Sequence, residues 1–117
     1  MTVLFILNDP PYGNERVYNA LRLANALLKN DPQIEVIVFL MADSVVAAKA
    51  GQKTPDGYYN IERMLKRVLA ADGKVLLCGT CMDARGLDDG ALMAGARRST
   101  MDELAAATVE ADKVMVF

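Results

Sequence analysis

Short apolar runs rich in β-branched residues alternate along this chain with segments whose apolar positions recur every three or four residues. A strand that shows no polar alternation must be buried on both faces, and strands joined through helices run parallel. The pattern therefore predicts an α/β protein, a three-layer α/β/α sandwich around a mainly parallel five-stranded sheet. Strands are expected at Thr2 to Leu7, Ile34 to Met41, Lys74 to Cys78, Gly95 to Arg98 and Val114 to Phe117. The second has the most β-branched residues between breakers, so it belongs at the centre.

The helices read between these runs. Asn14 is placed to cap a helix with Val17, Leu21, Ala24 and Leu28 on one face, closed by Asp31-Pro32. Asp43 or Ser44 would cap a short helix ending at Gly51, and Gln52 to Tyr59, with Pro55 and Gly57, reads as a loop. Asn60 caps the next helix, with Ile61, Met64, Leu65, Val68 and Leu69 on its face and Gly73 at its end. A brief helix is expected at Asp89 to Met93. Thr100 and Glu103 have capping-box spacing for a last helix whose inward face reads Met101, Leu104, Ala105, Thr108 and Val109.

The 117 residues suffice for one core, so residues 1–117 form a single domain. Apolar residues make up 53% of the chain, more than so small a core can hold, which predicts a homo-oligomer. A net charge of −2 gives no basic field for nucleic acid. The longest apolar run, Val36 to Ala42, is too short to span a membrane, so the expected location is cytoplasmic. Histidine is absent, which removes Cys-His and Ser-His pairs and every imidazole ligand. No cofactor or resident metal is expected.

Sites in parallel sheets form beyond the carboxyl ends of the strands. Three loops qualify: Asn8 to Gly13, Ala42 to Ser44, and Cys78 to Gly86. Asp9, Pro10 and Pro11 occupy a place where related architectures cradle phosphate, but two prolines remove donors there and Asp9 adds negative charge. Tyr12 and Gly13 read instead as pocket walls, or as a plain turn. Asp43 is either a helix cap or the partner of a cation. Asp88 and Asp89 read as acidic residues opening a short helix, and the methionines as core packing.

Cys78 ends the third strand, where free cysteine often serves only as a small buried apolar residue. Gly79 and the following turn open space around it. Donors from Gly79 and Thr80 and the charge of Arg85 are then expected to lower its thiol pKa and make it a nucleophile. With Cys81 three residues on, the pair also fits a dithiol redox switch, although Leu77 stands where an aromatic residue usually precedes such a pair. A zinc site would need thiols from two chains. Thr80 and Asp83 have the spacing of a capping box for the turn.

Asp9-Pro-Pro-Tyr-Gly13, Phe39-Leu-Met-Ala-Asp43, Gly51-Gln-Lys before Gly57-Tyr, and Cys78-Gly-Thr-Cys81 running to Arg85-Gly86 together resemble the DsrE/DsrF-like family. The likeness extends over essentially the full length and is greatest to its YchN-like branch. It implies a parallel α/β/α domain, assembly into homo-hexamers, and a cysteine that carries a persulfide in sulfur relay. Cys78 matches that cysteine. Cys81 departs from the pattern of the relay members, which have one thiol in this loop, and its thiolate could attack a persulfide on Cys78 to leave a disulfide. The resulting expectation is a sulfur carrier with donor and acceptor protein partners. Its alternatives are a dithiol switch and a non-enzymatic oligomeric module binding a ligand beside Tyr12.

Overall fold

The structure is a computed structural model describing all 117 residues. Five strands, β1 (Thr2–Leu7), β2 (Glu35–Leu40), β3 (Lys74–Cys78), β4 (Ala96–Ser99) and β5 (Lys113–Val116), form one sheet. Its order is β4-β3-β2-β1-β5 and every pairing is parallel. The β-branched run thus holds the middle of the sheet, with Val36 to Leu40 all buried. Connections carry the chain outward from β1 to β4, and the last one returns across the sheet to the far side of β1.

Register assigns the two faces. Leu4, Ile37 and Val114 are aligned across neighbouring strands, and so are Phe39 and Leu76. Side chains alternate along each strand, so Ile37 and Leu76 share a face with Thr2, Glu35 and Lys74. This is the face that meets helix α4 (Met101–Glu110), whose Glu103, Ala106, Ala107 and Glu110 line a small cavity with those five residues. By the same parity Cys78 lies on the α4 side. Helices α1 (Arg16–Asn30) and α2 (Ile61–Ala70) pack together on the sheet, tied by the Asn25 carboxamide, which donates to the carbonyls of Leu21 and Met64.

Several local expectations change in the folded chain. Asn14 accepts the N–H of Arg16, but the residue preceding α1 is Glu15, which makes no side-chain cap. Asn60 does cap α2, accepting the Arg63 N–H at 3.0 Å. Asp72, with φ 62°, takes the left-handed position after α2, and Gly73 is needed for another reason. A Cβ on Gly73 would lie 2.6 Å from the Val36 carbonyl oxygen.

The expected helix from Asp43 or Ser44 is a 3-10 segment, Ala42–Ala48, with no side-chain cap. Only Asp89–Ala91 coils in the next poorly patterned stretch. Thr100 caps α4 through the Glu103 N–H, yet the Glu103 carboxylate does not complete the box. It grips Arg97 through two contacts, at 2.9 and 2.6 Å, and accepts the Ser99 hydroxyl. That anchor fixes the rotation of α4: Leu104 is buried, while Met101 and Val109, expected inward, are 59% and 86% exposed.

Candidate functional site

The three loops expected to carry the site are linked at the carboxyl edge of the sheet. Ser44 donates its hydroxyl to the Asp9 carbonyl, joining the loops after β1 and β2. Asp43 and Arg85 join the loops after β2 and β3, with two guanidinium nitrogens 2.9 Å from one carboxylate oxygen. Of its two sequence readings, Asp43 therefore follows the cation and not the cap. Arg85 also donates to the Cys81 carbonyl at 3.0 Å. Its charge is paired with Asp43 and it holds the backbone, where the sequence suggested a charge that lowers the Cys78 thiol pKa.

Helix α3 (Gly79–Ala84) begins directly after β3, and Cys78 is its capping residue. The Cys81 N–H donates to Cys78 Sγ at 3.3 Å, taking the role assigned from sequence to Thr80 and Asp83. Asp83 turns to Arg98 instead, which also holds Asp89. Cys81 Sγ has a donor of its own, the N–H of Ala42 at 3.2 Å. Ala42 has φ 50°, a left-handed conformation uncommon for a residue with a Cβ. Each sulfur thus accepts from the backbone, Cys78 from the first turn of α3 and Cys81 from the segment after β2.

Both cysteines are free thiols. Cys78 is 9% exposed and opens onto a cavity of about 560 Å³ shared with Met41, Cys81, Arg98, Thr100 and Met101. Burial pushes the Cys78 thiol above the ordinary value. Donation of the Cys78 S–H to the Cys81 sulfur, which favours the neutral thiol, and the like charge of Cys81 push the same way, and the N–H groups of Cys81 and Thr80 only partly oppose them. This reverses the sequence expectation of a lowered pKa, because six residues of helix and a neutralised arginine do not outweigh desolvation. No third metal-ligating side chain stands beside the two thiols.

Gly79 belongs to this cavity for a steric reason. A Cβ there would approach Arg98 and the Ser99 carbonyl at 3.0–3.1 Å. Tyr12 and Gly13 line a different cavity, near Tyr18 and Tyr59, and do not meet the cysteines. Asp9 pairs weakly with Arg16 at 3.5 Å. Sequence reasoning missed Met41, Arg98, Thr100 and Met101. Only their positions after β2 and around the end of β4 pointed to the site, and β4 was the least legible strand.

The model of the DsrE/DsrF-like family matches residues 1–117. The chain belongs to the DsrE/DsrF-like family. Protein YchN of Escherichia coli is 42% identical over 115 residues, covering 98% of this chain and 97% of YchN. Protein MJ0989 of Methanocaldococcus jannaschii is 40% identical over 118 residues, covering both chains entirely. The crystal structure of Escherichia coli ychN protein superposes with a TM-score of 0.94 at 41% identity, over 100% of this chain and 99% of that one. MTH1491 from Methanobacterium thermoautotrophicum shares the fold, with a TM-score of 0.77 at 14% identity. The DsrE/DsrF-like family is associated with sulfur relay.

Proposed function

We propose that this protein accepts and passes sulfane sulfur through Cys78. The observation that carries the reading is Cys78 Sγ at the floor of a cavity of about 560 Å³, with a backbone N–H at 3.3 Å and a second free thiol beside it. The Cys78 thiolate attacks the outer sulfur of a donor persulfide, forming Cys78–S–SH and releasing the donor as a thiolate. The new terminal sulfur extends from the floor into the cavity, away from the walls that disfavour charge on Sγ. An acceptor thiolate then takes it by the same exchange and restores Cys78.

Incubation with a persulfide donor followed by intact mass spectrometry tests this. Cys78 gains the mass of one sulfur, and Cys78→Ser gains none. An unloaded Cys78, under conditions that load a known carrier, removes the proposal.

A second reading rests on the proximity of the two thiols. If Cys81 thiolate attacks Sγ of the Cys78 persulfide, a Cys78–Cys81 disulfide forms and hydrosulfide leaves. A protein working this way is a dithiol switch or sulfide-releasing device. Cys81→Ser separates the two, since it leaves the life of the Cys78 persulfide unchanged in a carrier, and in a switch or sulfide-releasing device it prolongs that life and abolishes the two-electron couple.

The thiol chemistry suits a cytoplasmic setting, where cysteines stay reduced. No helix is long and apolar enough to cross a membrane. Exposed Met101, Val109 and Val116, together with the chain's likeness to YchN, support a homo-oligomer, with the hexamer as the expected form. Met101 borders the cysteine cavity, so a subunit seated on α4 would also shape access to Cys78.

A further inference from the structure

Arginine pairing divides sharply across this molecule. Arg16, Arg85, Arg97 and Arg98 each have a carboxylate oxygen at 3.5 Å or less. The remaining arginines, Arg22, Arg63 and Arg67, have no carboxylate partner, and all of them line one cavity between α1, α2 and the loop before α2. That cavity, of about 410 Å³, has no acidic residue in its wall. Its size lies within the ~300–1,000 Å³ of ordinary small-molecule sites.

The rest of the wall is aromatic. Tyr18, Tyr58 and Tyr59 line it and also border the adjoining cavity that contains Tyr12, so every tyrosine of the chain falls in this one region. The Arg22 guanidinium lies 5.6 Å from the Tyr18 ring centroid, and Tyr58 meets Tyr59 edge to face with centroids 5.7 Å apart. Tyr58 is 72% exposed, so most of its ring faces open space.

The backbone is shaped around the same place. Asp56, Gly57 and Tyr59 all have positive φ, at 51°, 71° and 49°. For a bulky residue such as Tyr59 this conformation is strained and marks a position held by its surroundings. The Arg63 guanidinium lies against Gly57 so closely that a Cβ there would be 2.1 Å from its Nη1. Glycine at 57 therefore provides both the turn and the room for that charge.

We infer that the cavity of Arg22, Arg63, Arg67 and the tyrosines is a binding site for a small phosphate ester bearing a planar aromatic ring. The guanidiniums take the phosphate, for which their forked donors are suited, and the ring lies against the tyrosine faces. The site is separate from the cysteine cavity, so it stands whether or not Cys78 carries sulfur.

Calorimetric titration of the intact protein with AMP, adenosine and inorganic phosphate tests the assignment. AMP binds, with affinity that falls as salt is raised. Adenosine and inorganic phosphate each bind at least about tenfold more weakly, since each lacks one half of the contact. Arg63→Gln, at an exposed position, keeps the wild-type circular dichroism spectrum and weakens AMP by about tenfold or more. Gly57→Ala, which displaces the guanidinium and removes no charge, weakens it as well. Cys78→Ser binds AMP like wild type, which separates this site from the sulfur chemistry. Equal binding of AMP and inorganic phosphate, or no effect of Arg63→Gln, overturns the proposal. So does an absence of AMP binding with a fall in oligomer mass in Arg63→Glu, which would assign the cavity to a second copy of the chain.

Discussion

At the scale of single residues, the contrast between the two cysteines is the central feature. Cys78 is buried and its pKa raised, so at neutral pH it rests as the protonated thiol. A raised thiol pKa lowers the thiolate fraction below the titration midpoint, and each unit costs a factor of ten in reactive species. Iodoacetamide should therefore alkylate Cys78 more slowly at pH 7 than it does free cysteine. The rate should climb with pH through a midpoint above the ~8.5 of a free thiol, as read by peptide mass spectrometry. Linkage gives the same sign for stability. The native state favours the neutral thiol, so this contribution is complete below the unfolded-state value and declines as pH rises through the folded one. The sequence placed Cys78 correctly at the end of β3. It did not reveal the charge balance, because the partner of Arg85, Asp43, is distant in sequence, and only folding makes them neighbours.

Elements are held by a few contacts whose loss is measurable. Glu103 joins α4 to β4 through Arg97 and Ser99, and the Arg97 guanidinium beside it, with help from the Ser99 hydroxyl, lowers its carboxyl pKa to about 2. A depressed carboxyl pKa contributes stability above the unfolded-state value and loses it as pH falls through the folded one. The link should then persist to about pH 3, with the Glu103 carboxyl resonance titrating near 2. Arg97→Ala should move that titration toward the ordinary ~4.3 and cost roughly 0.5–1 kcal/mol, since the pair is half exposed. Gly73→Ala should be costlier, by about 2–3 kcal/mol in urea denaturation, because the added carbon meets the Val36 carbonyl and the α2 backbone, which cannot move aside. Strand and helix order was legible from Thr2 to Cys78 and again from Thr100 onward because periodicity and breakers are local signals, and it faded from Leu87 to Ser99, where neither is strong. The facing of α4 was not, because apolar spacing cannot distinguish a side chain buried in its own domain from one left bare for a neighbour. Its rotation is set by Glu103, a polar anchor.

For the whole molecule, the exposed apolar residues on one side have a predictable result. Met101, Val109 and Val116 lie on α4 and the edge strand β5, at 59%, 86% and 66% exposure. Light scattering should give a multiple of the 12.7 kDa chain mass, and replacing Val109 and Val116 together with lysine should reduce that multiple while leaving the far-ultraviolet spectrum unchanged. The excess of apolar residues pointed to association from composition alone. The location of the face required the register of the sheet. The carboxyl-edge rule singled out three loops that the structure links to one another, yet it could not tell that Tyr12 and the thiols line separate cavities.

The crossed pairing of amides and sulfurs supplies a way to follow the chemistry without touching either cysteine. The Ala42 amide points at Cys81 Sγ and the Cys81 amide at Cys78 Sγ. In a nitrogen-15-labelled sample, sulfur added to Cys78 alone should perturb the Cys81 cross-peak first. Closure of a disulfide should shift both together, giving the loaded and the oxidised protein separate spectral fingerprints.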